Sequence, residues 1–127
     1  MSLPKIDDNQ TPEEFNELLE QARNASELLK ALAHEGRLLI LCLLAEGEKS
    51  VSELEEAMKL PQAAVSQQLA RLRFDRLVNT RRDGRVIYYS IASAEVSSVI
   101  ETLYNLFCAP VRNRDAADVQ ASGSDAA

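Results

Sequence analysis

The sequence predicts a mainly α domain carrying one β-hairpin, with elements in the order α-α-α-α-β-β-α. Three observations lead there. Apolar residues recur at helical spacing from Phe15 to Leu72; Leu60-Pro61 interrupts that pattern between two short helices; and from Leu77 to Ile91 the pattern changes to strand alternation around Asp83-Gly84.

Thr11-Pro12-Glu13-Glu14 opens the first long helix with a hydroxyl cap, a proline at the first helical position and acids beside the positive dipole end. Phe15, Leu18, Leu19, Ala22, Ala25, Leu28, Leu29 and Leu32 then form a wide apolar stripe, which suits a subunit contact. The pattern breaks around Ala33 to Gly36, and a second helix runs from about Glu35 to Ala45. Leu38 to Leu44 is apolar all round, with Cys42 inside it, so this helix is central and buried; Gly47 stops it. His34, the single histidine, falls at the junction, where a cap or surface role suits it better than ligation.

Ser50-Val51-Ser52-Glu53 pairs a hydroxyl with a carboxylate three residues on, the reciprocal arrangement that closes a helix N-terminus. The third helix therefore begins near Val51, with Leu54, Ala57 and Met58 inward, and Pro61 ends it by driving Leu60 out of the α region. The fourth helix, Gln62 to about Asp75, spaces Val65, Leu69 and Leu72 along a core-facing stripe. Leu77 to Arg82 and Arg85 to Ile91 then read as strands joined by Asp83-Gly84, with Arg82 opposite Arg85, Thr80 opposite Ile87 and Val78 opposite Tyr89. Ser93 caps a last helix with Val96, Val99, Ile100, Leu103 and Phe107 as its apolar face, Tyr104 and Cys108 on its flank, and Pro110 as its end. The expected organisation is a flexible segment over residues 1–11, one domain over 12–109, and a disordered tail over 110–127 with almost nothing to bury.

At 127 residues the chain holds one modest core. No apolar run approaches the roughly 20 residues that cross a bilayer, and the polar start from Met1 to Thr11 is no signal peptide. A reducing cytoplasm is the expected compartment, since two distant cysteines make no secreted disulfide framework. The net charge of -6 hides a polarised distribution. Residues 1–61 hold 6 basic and 13 acidic side chains, residues 62–93 hold 6 and 2, and residues 94–127 hold 2 and 5. A net positive balance is confined to residues 62–93, the fourth helix and the hairpin.

That distribution points to double-stranded DNA. On the fourth helix Ala63, Gln67, Ala70 and Arg71 face away from the core stripe, with Gln62 and Ser66 at its margin. Amides bond adenine edges, hydroxyls bond several bases, and alanine leaves room for a thymine methyl, so this face suits a major groove. A solvated amphipathic helix would carry a similar face, and the hairpin tips the balance. Arg81, Arg82 and Arg85 crowd its tip, where facing like charges are unfavourable unless an anion such as phosphate sits between them. The helices and the hairpin together form a winged helix-turn-helix.

Leu60-Pro61, Val65-Ser66, Leu69, Leu72, Leu77-Val78, Arg81-Arg82, Gly84-Arg85 and Tyr88-Tyr89 resemble the ArsR/SmtB-type bacterial repressors over about residues 20 to 108. The resemblance implies a homodimer that binds an inverted-repeat operator. Members often have histidine where this chain has Gln68, which falls within the reading surface. Their Cys-Val-Cys metal element aligns with Ser50-Val51-Ser52, and Glu95 to Cys108 holds no histidine, so neither familiar metal site has its soft ligands. No metal or other cofactor is expected.

Cys42 and Cys108 remain, a pair similar to that of the reactive-sulfur-sensing branch of the family, in which persulfides or polysulfides bridge two such thiols and release DNA. Two further readings stay open within the family: a peroxide or electrophile sensor using the same thiols, and a metal sensor with ligands at a dimer interface. A buried free cysteine also serves simply as a small hydrophobe. With no Cys-x-x-Cys, no nucleotide loop and no Ser/His/Asp set, an enzyme is not expected. A direct disulfide needs Cα atoms within about 7 Å, so a pair held well beyond that reach would select sulfur chains over peroxide.

Overall fold

The computed structural model describes residues 11–114. Most of the expected flexible leader, and the expected tail beyond residue 114, lie outside the described residues. The chain divides into two units, Met1–His34 and Glu35–Ala127.

The first unit holds α1 (Pro12–Leu32). Its start follows the capping chemistry of the sequence: Thr11 keeps extended backbone, its Oγ1 accepts the Glu14 N–H at 3.1 Å, Pro12 occupies the first helical position, and Glu13 and Glu14 lie in the first turn.

The second unit contains α2 (Glu35–Leu44), β1 (Lys49–Ser50), α3 (Val51–Met58), α4 (Gln62–Phe74), β2 (Val78–Asp83), β3 (Val86–Ile91) and α5 (Ala94–Leu103), the last running on into a π-helical turn, Tyr104–Cys108. Ile40 and Leu41 of α2, Leu54 of α3, Val65, Leu69 and Leu72 of α4 and Ile100 of α5 are fully buried. Each such side chain contributes about 1.5–3 kcal/mol of burial free energy. They hold the helix-turn-helix pair α3–α4 against α2 and α5. The α2 helix is central, as its unbroken apolar run predicts, with Ile40 to Leu44 all buried. Gly47 follows it at φ +138, a conformation that residues with a Cβ rarely adopt.

Ser50 forms the predicted capping box with Glu53, its Oγ accepting the Glu53 N–H at 3.2 Å while its own N–H donates to Glu53 Oε1 at 3.0 Å. The same residue closes β1, a strand too short to leave an alternating signature. It pairs with β3, completing an antiparallel sheet of order β1-β3-β2 in which Lys49 faces Tyr89 and Ser50 faces Tyr88.

Three expectations are corrected. First, α3 ends one step before Leu60-Pro61: Lys59 adopts φ 54 and its N–H bonds Glu55 O, so a left-handed residue closes the helix and Pro61 serves as the N-cap of α4. Second, the hairpin turns at Gly84-Arg85 rather than Asp83-Gly84. Gly84 takes φ +64 as first central residue while Asp83 remains in β2, an arrangement suited to glycine-first two-residue turns. Asp83 therefore faces Val86, Arg82 faces Ile87, Thr80 faces Tyr89 and Val78 faces Ile91. Arg82 and Arg85 are thus not cross-strand partners. Third, the last helix passes through Pro110 to residue 114. An ordinary helix would lose the Pro110 bond to the carbonyl four residues back and clash with it. Here the preceding turn is widened, with the Ala109 N–H bonding Tyr104 O five residues back, so the missing donor falls where the ladder is already displaced. The same turn leaves Phe107 69% exposed instead of on a core face.

Candidate functional site

Two sites stand out in the second unit, a basic reading surface and a dithiol. On α4, Gln62, Ala63, Ser66 and Gln67 are exposed, and Gln68 is half-buried beside Leu69. Val65, Leu69 and Leu72 fix the helix by their burial and so fix which face is presented. Arg71 lies on that face too, but its Nε donates to Asp75 Oδ2 at 3.2 Å and its guanidinium covers the Phe74 ring at 5.9 Å.

The wing divides its arginines into two kinds. Arg82 and Arg85 are exposed near the tip, with no ion pair to an acid among the described residues. Arg81 is committed: its Nε donates to Glu48 Oε2 at 3.1 Å, its Nη2 donates to the other carboxylate oxygen, and its guanidinium lies 4.8 Å from the centre of the facing Tyr88 ring. That pairing pulls the Glu48 carboxyl below the usual range and raises the Arg81 guanidinium. It was not legible beforehand, because Glu48 reaches Arg81 only through the unforeseen β1 strand.

The dithiol lies between α2 and the π-helical turn. Cys42 is buried, Cys108 half-buried, and both are free thiols. They face a common cavity. Burial pushes the Cys42 thiol up to about 12, and the neighbouring Cys108 thiol adds to the effect. Both sulfurs line a cavity of about 250 Å³ that also meets Leu39, Leu43, Phe107 and Val111. A second, more apolar cavity of about 250 Å³ opens beside the same thiols against Leu38 and Leu103.

One turn along from each thiol is a charged cluster that sequence reasoning missed. Arg112 donates from Nε to Glu46 Oε2 at 2.6 Å and from Nη2 to Oε1 at 2.8 Å, and the Tyr104 hydroxyl donates to Oε2 at 2.8 Å. Lys49 Nζ stands 3.6 Å from Oε1. Glu46 exposes only 19% of its side chain. The Arg112 bond, with help from Tyr104 and Lys49 and against the cost of burial, brings its carboxyl down to about 2. The carboxylate in turn raises both the Arg112 guanidinium and the Tyr104 phenol through the hydrogen bonds it accepts from them. The four-residue spacing of Cys42 to Glu46, and of Tyr104 to Cys108 to Arg112, was the available signal, hidden because the helix was expected to stop at Pro110.

Residues 34–80 match the family described as bacterial regulatory protein, arsR family. Transcriptional activator HlyU of Vibrio cholerae is 45% identical over 97 residues, spanning 76% of this chain and 90% of that protein. The biofilm growth-associated repressor of Agrobacterium fabrum is 45% identical over 93 residues, spanning 73% and 80%. Among solved structures, reduced HlyU from Vibrio cholerae superposes with a TM-score of 0.68 at 47% identity, covering 72% of this chain and 97% of that one. Transcriptional repressor BigR from Xylella fastidiosa does so with 0.70 at 39% identity, covering 75% and 94%. These relatives are transcriptional regulators and not enzymes. With a winged helix-turn-helix of matching sequence and fold over nearly the whole length of such relatives, this chain belongs to the arsR family of bacterial regulatory proteins.

Proposed function

We propose that this chain is a dithiol-based transcriptional repressor: reduced, it binds an inverted-repeat operator as a homodimer, and a polysulfide bridge between Cys42 and Cys108 releases it. The observation that carries this reading is that both thiols line one largely apolar cavity. Biofilm growth-associated repressors of 40–45% identity support the sign of control, and the solution of HlyU in a reduced form is in keeping with a redox-active relative.

The DNA contact rests on two sets of side chains. Gln62, Ala63, Ser66, Gln67, Gln68 and Arg71 present hydrogen-bonding and small groups to base edges, while Arg82 and Arg85 hold phosphate, with Arg81 beside them. A dimer presents the set twice, and two reading helices about 34 Å apart meet successive turns of the groove. Phe15 and Leu29, exposed on α1, supply apolar surface for that pairing.

The chemistry follows from the inequality of the thiols. Cys42 keeps its proton and is buried, so Cys108 attacks first. Its thiolate displaces a thiolate from a polysulfide RS–Sn–SR, leaving a Cys108-bound chain that still ends in SR. Cys42 sulfur then attacks that chain; its proton leaves with the departing RS⁻ as RSH, and a Cys42–Sx–Cys108 bridge remains. The polysulfide is the oxidant, reduced to two thiols as the dithiol is oxidised.

Duplexes selected from a random pool by the reduced protein test this by gel shift and intact mass. Polysulfide is expected to link the cysteines with extra sulfur and abolish the shift, whereas Cys42→Ser and Cys108→Ser bind DNA and ignore polysulfide. Retained binding by the bridged wild type refutes the reading. The shared cavity also favours a second one, a peroxide or electrophile sensor, because a direct disulfide needs no inserted sulfur. Release by the simple disulfide as full as that by the polysulfide identifies it.

A further inference from the structure

Phe74 closes α4 with 79% of its surface open to water, the most exposed large apolar side chain among the described residues. Its place on the helix sets it apart from a stray surface residue. Ala63, Gln67, Ala70 and Phe74 recur at four, three and four residues, so they form one exposed strip opposite the buried Val65, Leu69 and Leu72. That strip is the proposed reading face, continued to the end of the helix. Arg71 steadies the ring: its guanidinium lies 5.9 Å from the ring centre, while Asp75 Oδ2 holds its Nε at 3.2 Å. Arg73 and Arg76, both exposed and without an ion pair to an acid among the described residues, line a groove with Thr80 of the wing. Thr80 stands two positions before Arg82 on the same face of β2. The ring therefore ends an uncharged strip in basic surroundings, on a helix that contains no acid.

We infer that Phe74 is a specificity-determining residue of the DNA contact, packing its ring against the C5 methyl of one thymine in the operator. This rests on the major-groove reading of α4 and extends it from hydrogen bonds to an apolar contact. Among the groups that base edges present in the major groove, the thymine methyl is the apolar one, and a phenylalanine side chain is suited to it. Gln67 and Phe74 are seven residues apart, a rise of about 10 Å along the helix, equal to about three base-pair steps of about 3.4 Å. The ring thus reaches a base pair beyond the one that Gln67 reads. Arg73 and Arg76 supply charge for neighbouring phosphates, which position the helix without carrying sequence information. In the free protein the ring buries almost nothing, so its apolar surface leaves water only when something covers it. A protein partner would also cover a ring; the unbroken strip shared with Gln67 and the unpaired arginines beside it favour DNA.

The experiment pairs protein and DNA substitutions on a duplex selected from a random pool by the reduced full-length protein. Each thymine is replaced in turn by deoxyuridine, which removes the methyl and leaves base pairing intact. Wild-type protein is expected to lose about fourfold in affinity at one thymine, the worth of one buried methyl, about three base pairs from the position at which Gln67→Ala relaxes discrimination. Phe74→Ala is expected to bind the unmodified duplex at least about fourfold more weakly and to be indifferent to deoxyuridine at that thymine, while any methyl effects due to Ala63 or Ala70 persist. Its salt slope is expected to match wild type, whereas Arg73→Gln lowers the slope by about one unit. An unchanged Tm for Phe74→Ala shows that the ring acts in the complex and not in the fold. Base preference and every methyl effect surviving Phe74→Ala overturn the role of Phe74 alone. So does a loss confined to association between copies of the protein, which assigns the ring to a protein contact. Absence of any base preference in the wild-type protein overturns the reading face and Phe74 together.

Discussion

Cys42 and Cys108, sixty-six positions apart in sequence, line one cavity while differing sharply in access. Burial holds the Cys42 thiol protonated up to about pH 12, and Cys108 is the one partly open to solvent. Iodoacetamide at about pH 8 is therefore expected to label Cys108 at least about tenfold faster than Cys42, because only thiolate reacts and access limits the rest. Peptide mapping over a time course measures the ratio; comparable rates contradict the buried placement of Cys42.

The Glu46 carboxylate makes stability pH-dependent with a definite sign. Its pKa falls from the ordinary 4.5 to about 2 on folding, so its contribution is complete above the unfolded value and disappears as the pH drops from 4.5 to 2. Screening by solvent reduces the contribution to about 1–2 kcal/mol. Urea unfolding of wild type and Glu46→Gln should differ by about that amount near neutral pH and converge as the pH approaches about 2. A difference that persists there would mean that something other than charge is responsible.

On the wing, Arg82→Ala or Arg85→Ala is expected to weaken binding alike on all duplexes and lower the slope of log K against log salt by about one unit each. Arg81→Ala should lower it less, since Glu48 already balances that charge. Equal slopes for the three variants would show that the Glu48 pairing opens on DNA.

Gln67 stands exposed on the outer face of α4, where the proposed repressor reads base edges. Gln67→Ala should relax discrimination at one base pair by about 1–3 kcal/mol while leaving the salt slope unchanged. Competition between duplexes that differ at single positions checks it.

Lys59 closes α3 at φ 54, a region where a side chain costs about 1–2 kcal/mol and glycine costs little. Lys59→Gly is expected to stabilise the protein by about 0.5–1 kcal/mol after glycine's greater freedom in the unfolded chain is counted. A rise of a few degrees in Tm would show it.

Much of this architecture is legible in the residues themselves. The Thr11 cap, the Ser50–Glu53 box, the α2 apolar run and the Val65, Leu69 and Leu72 stripe each express local physics, in which a few neighbouring side chains determine the backbone around them. The basic character of residues 62–93 likewise needed only residue types and positions, whereas the choice of Cys42 and Cys108 as candidates leaned on the family resemblance. The turn at Gly84-Arg85 was misplaced by one residue because Asp83 and Gly84 both tolerate turns, and Asp83, which keeps a negative φ and pairs with Val86, separates the two choices. What lay beyond the sequence depends on distant residues meeting: the cavity shared by the two thiols, the Glu46 clasp with Tyr104 and Arg112, and the Glu48–Arg81 bond across β1. Each pairs a residue from the α2–β1 stretch with one at least 33 positions further on. Such pairs leave no periodic trace, because packing of the helices and the sheet, not spacing along the chain, brings them together.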